Sequence, residues 1–205
     1  NDPDGVNINL NCGSTHLELI QNTVVENDCD FGIAFDGDGD RLLAVDDEGE
    51  IIDGDFLIYL FAGYLKANKQ LDNKLVALSK MCNIGIIKAL NEKNIEVVQT
   101  NVGDKYITQA LDQRDAVLGG ENSGHIINKT LLDTGDGVLN AVFLLNVLTY
   151  YKIPLSALKT QVTYYPDRLV NIRNVDKSLS DHPEVIELVE KQIKLLRTDG
   201  KVLVR

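Results

Sequence analysis

The sequence predicts a mixed parallel-sheet α/β domain flanked by two smaller units. Between residues 75 and 118, short apolar runs typical of buried strands alternate with amphipathic runs typical of helices. Apolar residues make up 44% of the 205 residues, which is enough for one large domain or two small ones with hydrophobic cores. After residue 160 the pattern of predicted elements changes, because segments rich in strand-forming residues lie on both sides of a single charged helix.

The segment up to residue 52 is predicted to form a first unit. Apolar residues recur with helical spacing in its first half, and the second half alternates short apolar runs with turn signals. The turn DDEG (46–49) is typical of a hairpin. The predicted elements are a helix at 17–25 and strands at 31–35, 42–45 and 50–52.

Residues 53–160 are predicted to form a second unit that contains the βαβ alternation. Asp53 is a candidate N-cap for an amphipathic helix that runs to Leu65, and Pro154 marks the end of a long apolar helix. The other elements follow from the position of each apolar run. Strands are predicted at 75–78, 95–99, 116–118 and 126–127, and helices at 84–92, 104–111 and 138–151.

Residues 161–205 are predicted to form a third, small β-α-β unit. Residues 162–172 are rich in β-branched and aromatic side chains, which are typical of strands. Pro183 is well placed in the first turn of a charged helix that ends near residue 196. Gly200 then leads into a predicted strand at 201–204.

Charge and residue supply exclude several classes of function. Thirty-one acidic against twenty basic residues give a formal net charge of −11, which disfavours binding to nucleic acid or to an anionic membrane surface. No apolar run is long enough to cross a bilayer and NDPDG (1–5) is unlike a signal peptide, so we expect a soluble, cytoplasmic protein. Three histidines and three widely spaced cysteines cannot supply a His-rich or Cys-rich metal centre. Any metal site must therefore be built from carboxylates.

The motif DGDGDR (36–41) is a candidate metal loop. Carboxylates on alternate residues, Asp36, Asp38 and Asp40, can wrap around one cation because the glycines between them leave the backbone free to turn. A solvated acidic turn is the plain alternative. An EF-hand is excluded, because its sixth position needs glycine and here is Arg41, and because the flanking runs are strands and not helices. Three hard oxygen ligands suit Mg²⁺ and leave coordination positions for a phosphate oxygen.

The motif GGENSGH (119–125) is a candidate loop for recognising hydroxyl groups. Glu121 can accept hydrogen bonds from sugar hydroxyls, Ser123 can donate or accept them, and the glycines permit close approach. An ordinary turn before a strand is the alternative. A catalytic triad of Glu121, Ser123 and His125 is disfavoured, because residues two apart on an extended segment do not form the hydrogen bond between nucleophile and base.

A weaker signal is the turn TNVGDKY (100–106). Lys105 is a candidate contact for an anionic group, and the alternative is that Asp104 caps the following helix while Lys105 is a solvated surface cation. Lys80 and Asn83 follow a predicted parallel strand, at the sheet edge where ligands collect in such folds.

The order and spacing of these motifs resemble the α-D-phosphohexomutases. DFGIAFDGDGDRLLAVDDEG is followed about eighty residues later by GGENSGHII. The segments NINLNCGSTHLE, KMCNIGI, TNVGDKYI and TGDG are most similar to the phosphoglucosamine mutase branch of that family, from which Asn122, Lys105 and Cys82 are small departures. The resemblance implies that residues 1–52 end domain 2, 53–160 are domain 3 and 161–205 begin domain 4. It also implies that domain 1, with its phosphorylated serine, and the phosphate-binding loop of domain 4, expected from about Arg205, lie outside this chain.

The resemblance further implies a reaction and a set of site residues. Asp36, Asp38 and Asp40 would hold Mg²⁺, and a phosphoserine would exchange phosphate with a hexosamine phosphate through a sugar bisphosphate. Glu121, Ser123 and Lys105 would bind the substrate. His125 would either move a proton or contact the substrate, and Arg41 would either stabilise phosphoryl charge or fix the loop.

The resemblance leaves alternatives open. A phosphomannomutase or phosphoglucomutase differs from a phosphoglucosamine mutase only by one stereocentre or one amine in the substrate. A second alternative is a fragment that binds metal and sugar phosphate without turnover, and this is what we expect of the isolated chain. The oligomeric state, a homo-oligomer included, is left open.

Overall fold

The computed structural model describes residues 4–168, 170–197 and 199–204. They form two compact units, of which the first ends at Tyr164 and the second begins at Tyr165. Residues 52 and 53 lie within the same compact unit, so the structure does not test the predicted domain boundaries near residues 52 and 160, and these stay predictions. In the described part of the chain, no helix is both long and apolar enough to cross a membrane.

The first unit begins with a helix and a small antiparallel sheet. The helix α1 spans Glu18–Glu26, and the strands β1, β2 and β3 span Phe31–Phe35, Leu42–Asp46 and Ile51–Ile52 in that order across the sheet. All five residues of β2 are buried. Asp46 is buried too, and its Oδ1 accepts hydrogen bonds from the backbone N–H groups of Glu48 and Glu50, which closes the predicted hairpin turn. The elements predicted in this segment are confirmed.

The rest of the first unit is a mixed four-stranded sheet with helices packed on it. Strand β4 (Leu75–Ser79) pairs in parallel with β5 (Glu96–Thr100) and with β6 (Leu118–Gly120). Strand β6 also pairs antiparallel with β7 (Ile126–Asn128), so the order across the sheet is β5-β4-β6-β7. The predicted mixed α/β class is confirmed. The helices are α2 (Gly54–Ala67), α3 (Ile84–Glu92), α4 (Asp104–Arg114), α5 (Gly137–Tyr151) and α6 (Leu155–Lys159).

The helix α2 forms the centre of the core. Asp53 caps it as predicted, because its carboxylate accepts a hydrogen bond from the Phe56 N–H at 2.9 Å. Nearly every residue from Gly54 to Ala62 is apolar and all are buried, as expected of a helix that neighbours surround on all sides. Phe61 meets Phe143 of α5 edge-to-face with ring centroids 4.9 Å apart. At the start of α2, the Gly54 N–H donates to the Asn122 carbonyl at 3.0 Å, which holds the helix start next to the loop after β6.

The strand predicted at 116–118 lies two residues later than expected. The N–H of Ala116 still bonds to the Leu111 carbonyl, so the chain has not yet left the end of α4 at that point. Gly119 and Gly120 belong to the strand instead, and a Cβ on Gly119 would lie 2.6 Å from the Ala77 carbonyl oxygen. Gly119 and Gly120 were expected in a turn, but they lie in the strand, where glycine allows two backbones to approach closely.

The strands predicted at 162–172 and 201–204 are wrong. Among the described residues beyond Tyr164 there is no strand, only a 3₁₀ turn at Lys177–Asp181 and the helix α7 (Pro183–Leu196), which was predicted. A β-branched sequence becomes a strand only when another strand pairs with it, and the described residues of this unit supply none. Arg205, where the phosphate-binding loop was expected to begin, lies outside the described residues.

The end of the first unit is anchored to α2 by a tyrosine. Tyr164 donates a hydrogen bond from its hydroxyl to the Asp53 carboxylate at 2.9 Å, and Val162 is buried. Burial, followed by the negative charge of Asp53, raises the pKa of Tyr164 above its ordinary value. Tyr164 therefore keeps its proton, and with it this hydrogen bond, at a pH where an exposed tyrosine would already ionise.

Candidate functional site

The candidate metal loop connects β1 to β2. One carboxylate oxygen from each of Asp36, Asp38 and Asp40 lies within 4.8 Å of the other two. The loop turns back on Asp36, whose carbonyl accepts from the Gly39 N–H at 3.3 Å and whose Oδ1 accepts from the Arg41 N–H at 3.1 Å. The three carboxylates are therefore gathered by the backbone turn itself, without any help from a distant segment.

The carboxylate triad fits a divalent cation. Asp40 Oδ1 is buried, and no described residue donates a hydrogen bond to it. Arg41 Nε lies 3.4 Å from Asp36 Oδ2 and 3.7 Å from Asp40 Oδ1, so one guanidinium lies beside two of the three carboxylates. The charge of this cluster is negative, and its hard oxygen donors are those that Mg²⁺ prefers. A bound cation would satisfy the orphaned oxygen and offset the remaining repulsion.

The candidate sugar loop connects β6 to β7 and is a tight turn. The Glu121 N–H donates to the His125 carbonyl, and the Gly124 N–H donates to the Glu121 carbonyl, both at 3.0 Å. The side chain of Glu121 reaches the start of α4, where its Oε1 accepts from the Gly103 N–H at 2.9 Å. Ser123 lies half-exposed near the tip of the turn. The acid and the hydroxyl are thus presented together on one short loop.

The two loops are joined directly, although they are 85 residues apart in sequence. Arg41 and His125 form an antiparallel β-bridge, and the Leu42 N–H donates to the Gly124 carbonyl at 3.0 Å. His125 Nδ1 lies 3.0 Å from Asp40 Oδ2. A Cβ on Gly124 would lie 2.3 Å from the Leu42 carbonyl oxygen, and the φ of Gly124 is +92°. Both the close approach and the backbone conformation therefore require glycine at this position.

A third segment, TGDG (134–137), closes the site from the side. The Gly137 N–H donates to the Gly39 carbonyl at 2.8 Å, and Asp136 caps α5 by accepting from the Leu139 N–H. A Cβ on Gly135 would lie 2.5 Å from the His125 ring. In the sequence, TGDG was interpreted only as part of the family resemblance, and its contact with both loops was not predicted. The two glycines around the capping aspartate were the signal that could have revealed it.

The predicted site residues are not all brought together. Asp36, Asp38 and Asp40 are grouped, Arg41 lies beside Asp36 and Asp40, and His125 contacts Asp40. Glu121 and Ser123 belong to the same joined loops. Lys105 is exposed on the first turn of α4, with its Nζ 4.8 Å from the Tyr106 ring centroid. The start of its helix is connected to the site by the Gly103 N–H, which donates to Glu121.

Three minor candidates have local roles. Gly103 is the N-cap of α4, so the alternative in which Asp104 caps it is wrong, and Asp104 Oδ1 accepts from the adjacent Lys105 N–H instead. Lys80 donates from Nζ to Asn101 Oδ1 at 3.0 Å. Asn83 caps α3 by accepting from the Gly85 N–H.

Comparison with known proteins identifies the family. Residues 53–165, more than half of the chain, match the sequence profile of the phosphoglucomutase/phosphomannomutase α/β/α domain III. The chain belongs to the phosphoglucomutase/phosphomannomutase family. The resemblance to the α-D-phosphohexomutases inferred from the motifs is thereby confirmed.

Relatives within this family cover most of the chain. The phosphoglucosamine mutase of Limosilactobacillus reuteri is 45% identical over 204 residues, which are 99% of this chain and 45% of the relative. The chain thus spans about half the length of the curated relatives that it matches. A crystal structure of an N-acetylglucosamine-phosphate mutase in the apo-form, a member of the α-D-phosphohexomutase superfamily, has a TM-score of 0.72 at 20% identity, covering 96% of this chain and 47% of its own.

A further structural neighbour is the Aspergillus fumigatus N-acetylphosphoglucosamine mutase in complex with GlcNAc-6P and magnesium. Its TM-score is 0.65 at 18% identity, and the aligned region covers 83% of this chain and 40% of the neighbour's chain. At these identities both structures support the phosphohexomutase fold of the chain.

We expect Gly124→Ala to separate the two loops. The alanine must adopt a left-handed backbone conformation, and its Cβ must displace the Leu42 carbonyl. The free energy of unfolding should therefore fall by about 3 kcal/mol. Gly39→Ala is the matched control, because Gly39 has φ +76° but no atom within 4 Å of the position that a Cβ would take, and it should cost only about 1 kcal/mol. Urea unfolding followed by circular dichroism measures both. Equal losses would contradict a tight contact between the loops.

Proposed function

We propose that the chain is part of a phosphoglucosamine mutase, which interconverts glucosamine 6-phosphate and glucosamine 1-phosphate. The reaction is a Mg²⁺-dependent phosphoryl transfer through a phosphoserine and a sugar bisphosphate. The observation that carries the proposal is that the carboxylate triad and the loop of Glu121 and Ser123 are joined in one site. The 45% identity to a phosphoglucosamine mutase supports the choice of substrate.

Asp36, Asp38 and Asp40 would hold Mg²⁺ in the mutase. Bound Mg²⁺ supplies charge neutralisation for a phosphoryl group and orients it for transfer. The magnesium named for the Aspergillus fumigatus neighbour supports this choice of metal. Arg41 brings its positive charge beside the Asp36 and Asp40 carboxylates, while the partial exposure of its side chain, 43%, leaves guanidinium N–H groups for phosphoryl oxygens. One arginine can thus both fix the loop and contact the substrate.

Glu121 and Ser123 would bind ring hydroxyls of the sugar. The Gly103 N–H fixes Glu121 through Oε1, which leaves Oε2 to accept from a hydroxyl, and Ser123 can donate or accept beside it. Both groups contact the ring and not the phosphates, so they can serve the 1-phosphate and the 6-phosphate orientations alike. Lys105, exposed two residues beyond Gly103, would contact an anionic group of the bound sugar phosphate.

The remaining groups would come from the parts of the parent protein that this chain does not include. These are the serine that carries the phosphoryl group and a second phosphate-binding loop. Catalysis by differential binding requires them together with the site described here, so the whole protein is the object to assay. The cytoplasmic location expected from the sequence stays a prediction.

We expect Asp38→Asn to weaken Mg²⁺ binding by on the order of tenfold or more, because it removes one charged ligand of the triad. Isothermal titration of Mg²⁺ into the full-length protein measures this, and mutase activity should fall in parallel. Asp72→Asn is the matched control, because Asp72 is exposed just before β4, at the sheet end opposite the loops. An unchanged affinity in Asp38→Asn would refute the metal assignment.

The substrate is tested by ³¹P NMR on the full-length protein with Mg²⁺, a trace of sugar bisphosphate and equal glucosamine, glucose and mannose 6-phosphates. We expect the glucosamine resonance to move to its 1-phosphate fastest. Faster conversion of glucose or mannose would assign a phosphoglucomutase or phosphomannomutase instead. No conversion at all would favour a protein that binds metal and sugar phosphate without turnover.

A further inference from the structure

Tyr164, the last residue of the first unit, holds the start of α2. Its hydroxyl donates to Asp53 Oδ1 at 2.9 Å, and the same oxygen caps α2 by accepting from the Phe56 N–H. The next residue, Gly54, donates from its N–H to the Asn122 carbonyl in the sugar loop at 3.0 Å. We propose that Tyr164 is a positioning residue for the sugar loop, and that it acts on this loop through Asp53 and Gly54.

The sugar loop packs directly on Gly54. A Cβ on Gly54 would overlap the Glu121 carbonyl oxygen and lie 2.7 Å from the Gly124 nitrogen. Close packing of this kind transmits a displacement, because there is no void to absorb it. A shift of Gly54 must therefore move the backbone that carries Glu121 and Ser123. The contact of these two residues with a sugar rests on the proposed function, whereas the positioning of their loop rests on the geometry.

A second route joins the exit segment, residues 162–164, to the start of α2. Asp55 Oδ2 accepts from the Asn83 N–H at 2.8 Å, at the start of α3. Two residues later, a Cβ on Gly85 would overlap the Thr163 carbonyl oxygen. The contacts therefore run from the exit segment through α3 to α2, and Tyr164 closes the circuit. This closed circuit leaves the start of α2 little freedom to move unless the exit segment moves with it.

The positioning role requires the hydroxyl of Tyr164 and not its ring. The ring packs against the core, so a phenylalanine would fill the same space. It would lack the donor to Asp53, and the hydrogen bond that holds the start of α2 would be lost. The metal loop is outside this circuit, because one backbone turn gathers its three carboxylates. Loss of the hydroxyl should therefore change the sugar loop much more than the metal loop.

The first test is hydrogen–deuterium exchange of the full-length protein, measured by mass spectrometry on the peptides that contain Gly54 and Gly124. Tyr164→Phe keeps the ring and removes the donor, so we expect both peptides to exchange about fivefold faster. Tyr151→Phe is the matched control, because a Cβ on Gly63, in the middle of α2, would lie 2.7 Å from the Tyr151 hydroxyl. The control loses a hydroxyl beside the same helix but away from its start, and it should leave both rates unchanged.

Steady-state kinetics of the full-length protein with glucosamine 6-phosphate give a second readout. Ring contacts serve the bound substrate and the transition state alike, so Tyr164→Phe should raise KM about fivefold and keep kcat within about twofold. Mg²⁺ affinity, measured by isothermal titration, should stay within about twofold of the wild type. Gly85→Ala keeps Tyr164 but must displace the Thr163 carbonyl, and it should reproduce both the faster exchange and the change in KM.

Three results would overturn the proposal. They are unchanged exchange in Tyr164→Phe, equally fast exchange in Tyr164→Phe and Tyr151→Phe, and a fall of kcat and Mg²⁺ affinity in Tyr164→Phe as large as the rise of KM. If Tyr164→Phe does not fold, as judged by thermal melting, exchange in Gly85→Ala decides in its place. Failure of the mutase assignment is separate: a wild type that converts no sugar phosphate, together with faster exchange in Tyr164→Phe, refutes the reaction and retains the positioning.

Discussion

The site depends on the backbone contact between Leu42 and Gly124. That hydrogen bond joins the first residue of β2 in the antiparallel sheet to the loop between β6 and β7 of the mixed sheet, and it leaves no room for a side chain at Gly124. Once the two backbones are in register, the bridge between Arg41 and His125 follows, and the imidazole is brought to Asp40. Residues far apart in sequence thereby come together in one group, which is what the proposed phosphoryl transfer would require.

Charge repulsion within the candidate metal loop lowers the free energy of unfolding. Three carboxylates share a small volume with one guanidinium, and one buried oxygen of Asp40 has no hydrogen-bond donor among the described residues. Such an arrangement costs free energy in the absence of a cation. The backbone offsets part of this cost by holding Asp36 with two hydrogen bonds inside its own turn. A ligand that binds only the folded form would offset the rest, so cation binding should stabilise the fold by mass action.

Local patterns predicted most of the first unit. The helix at Ile84–Glu92, the strand at Phe31–Phe35 and the cap at Asp53 follow from periodicity and capping rules that act within a few residues. The gathering of Asp36, Asp38 and Asp40 was predictable for the same reason, since one turn makes it. The absence of strands among the described residues beyond Tyr164 was not predictable, because a strand needs a partner strand and sequence periodicity does not show whether one is present.

The orientation of His125 also lay beyond the sequence. Its motif suggested a role beside Glu121 and Ser123, and the direction of its ring is set by Gly135 and Asp40, which come from two other segments. The segment TGDG was missed as a site element for the same reason. Close backbone packing between distant glycines decides both, and no local pattern encodes which glycines will meet.

The central claim is that the carboxylate triad and the sugar loop act as one unit around a cation. A crystal structure of the full-length protein grown with Mn²⁺, with the ion located by anomalous scattering, tests it most directly. We expect one ion within coordination distance of Asp36, Asp38 and Asp40, with the Leu42–Gly124 hydrogen bond intact. An ion bound elsewhere, or a broken Leu42–Gly124 hydrogen bond with the ion in place, would contradict the account.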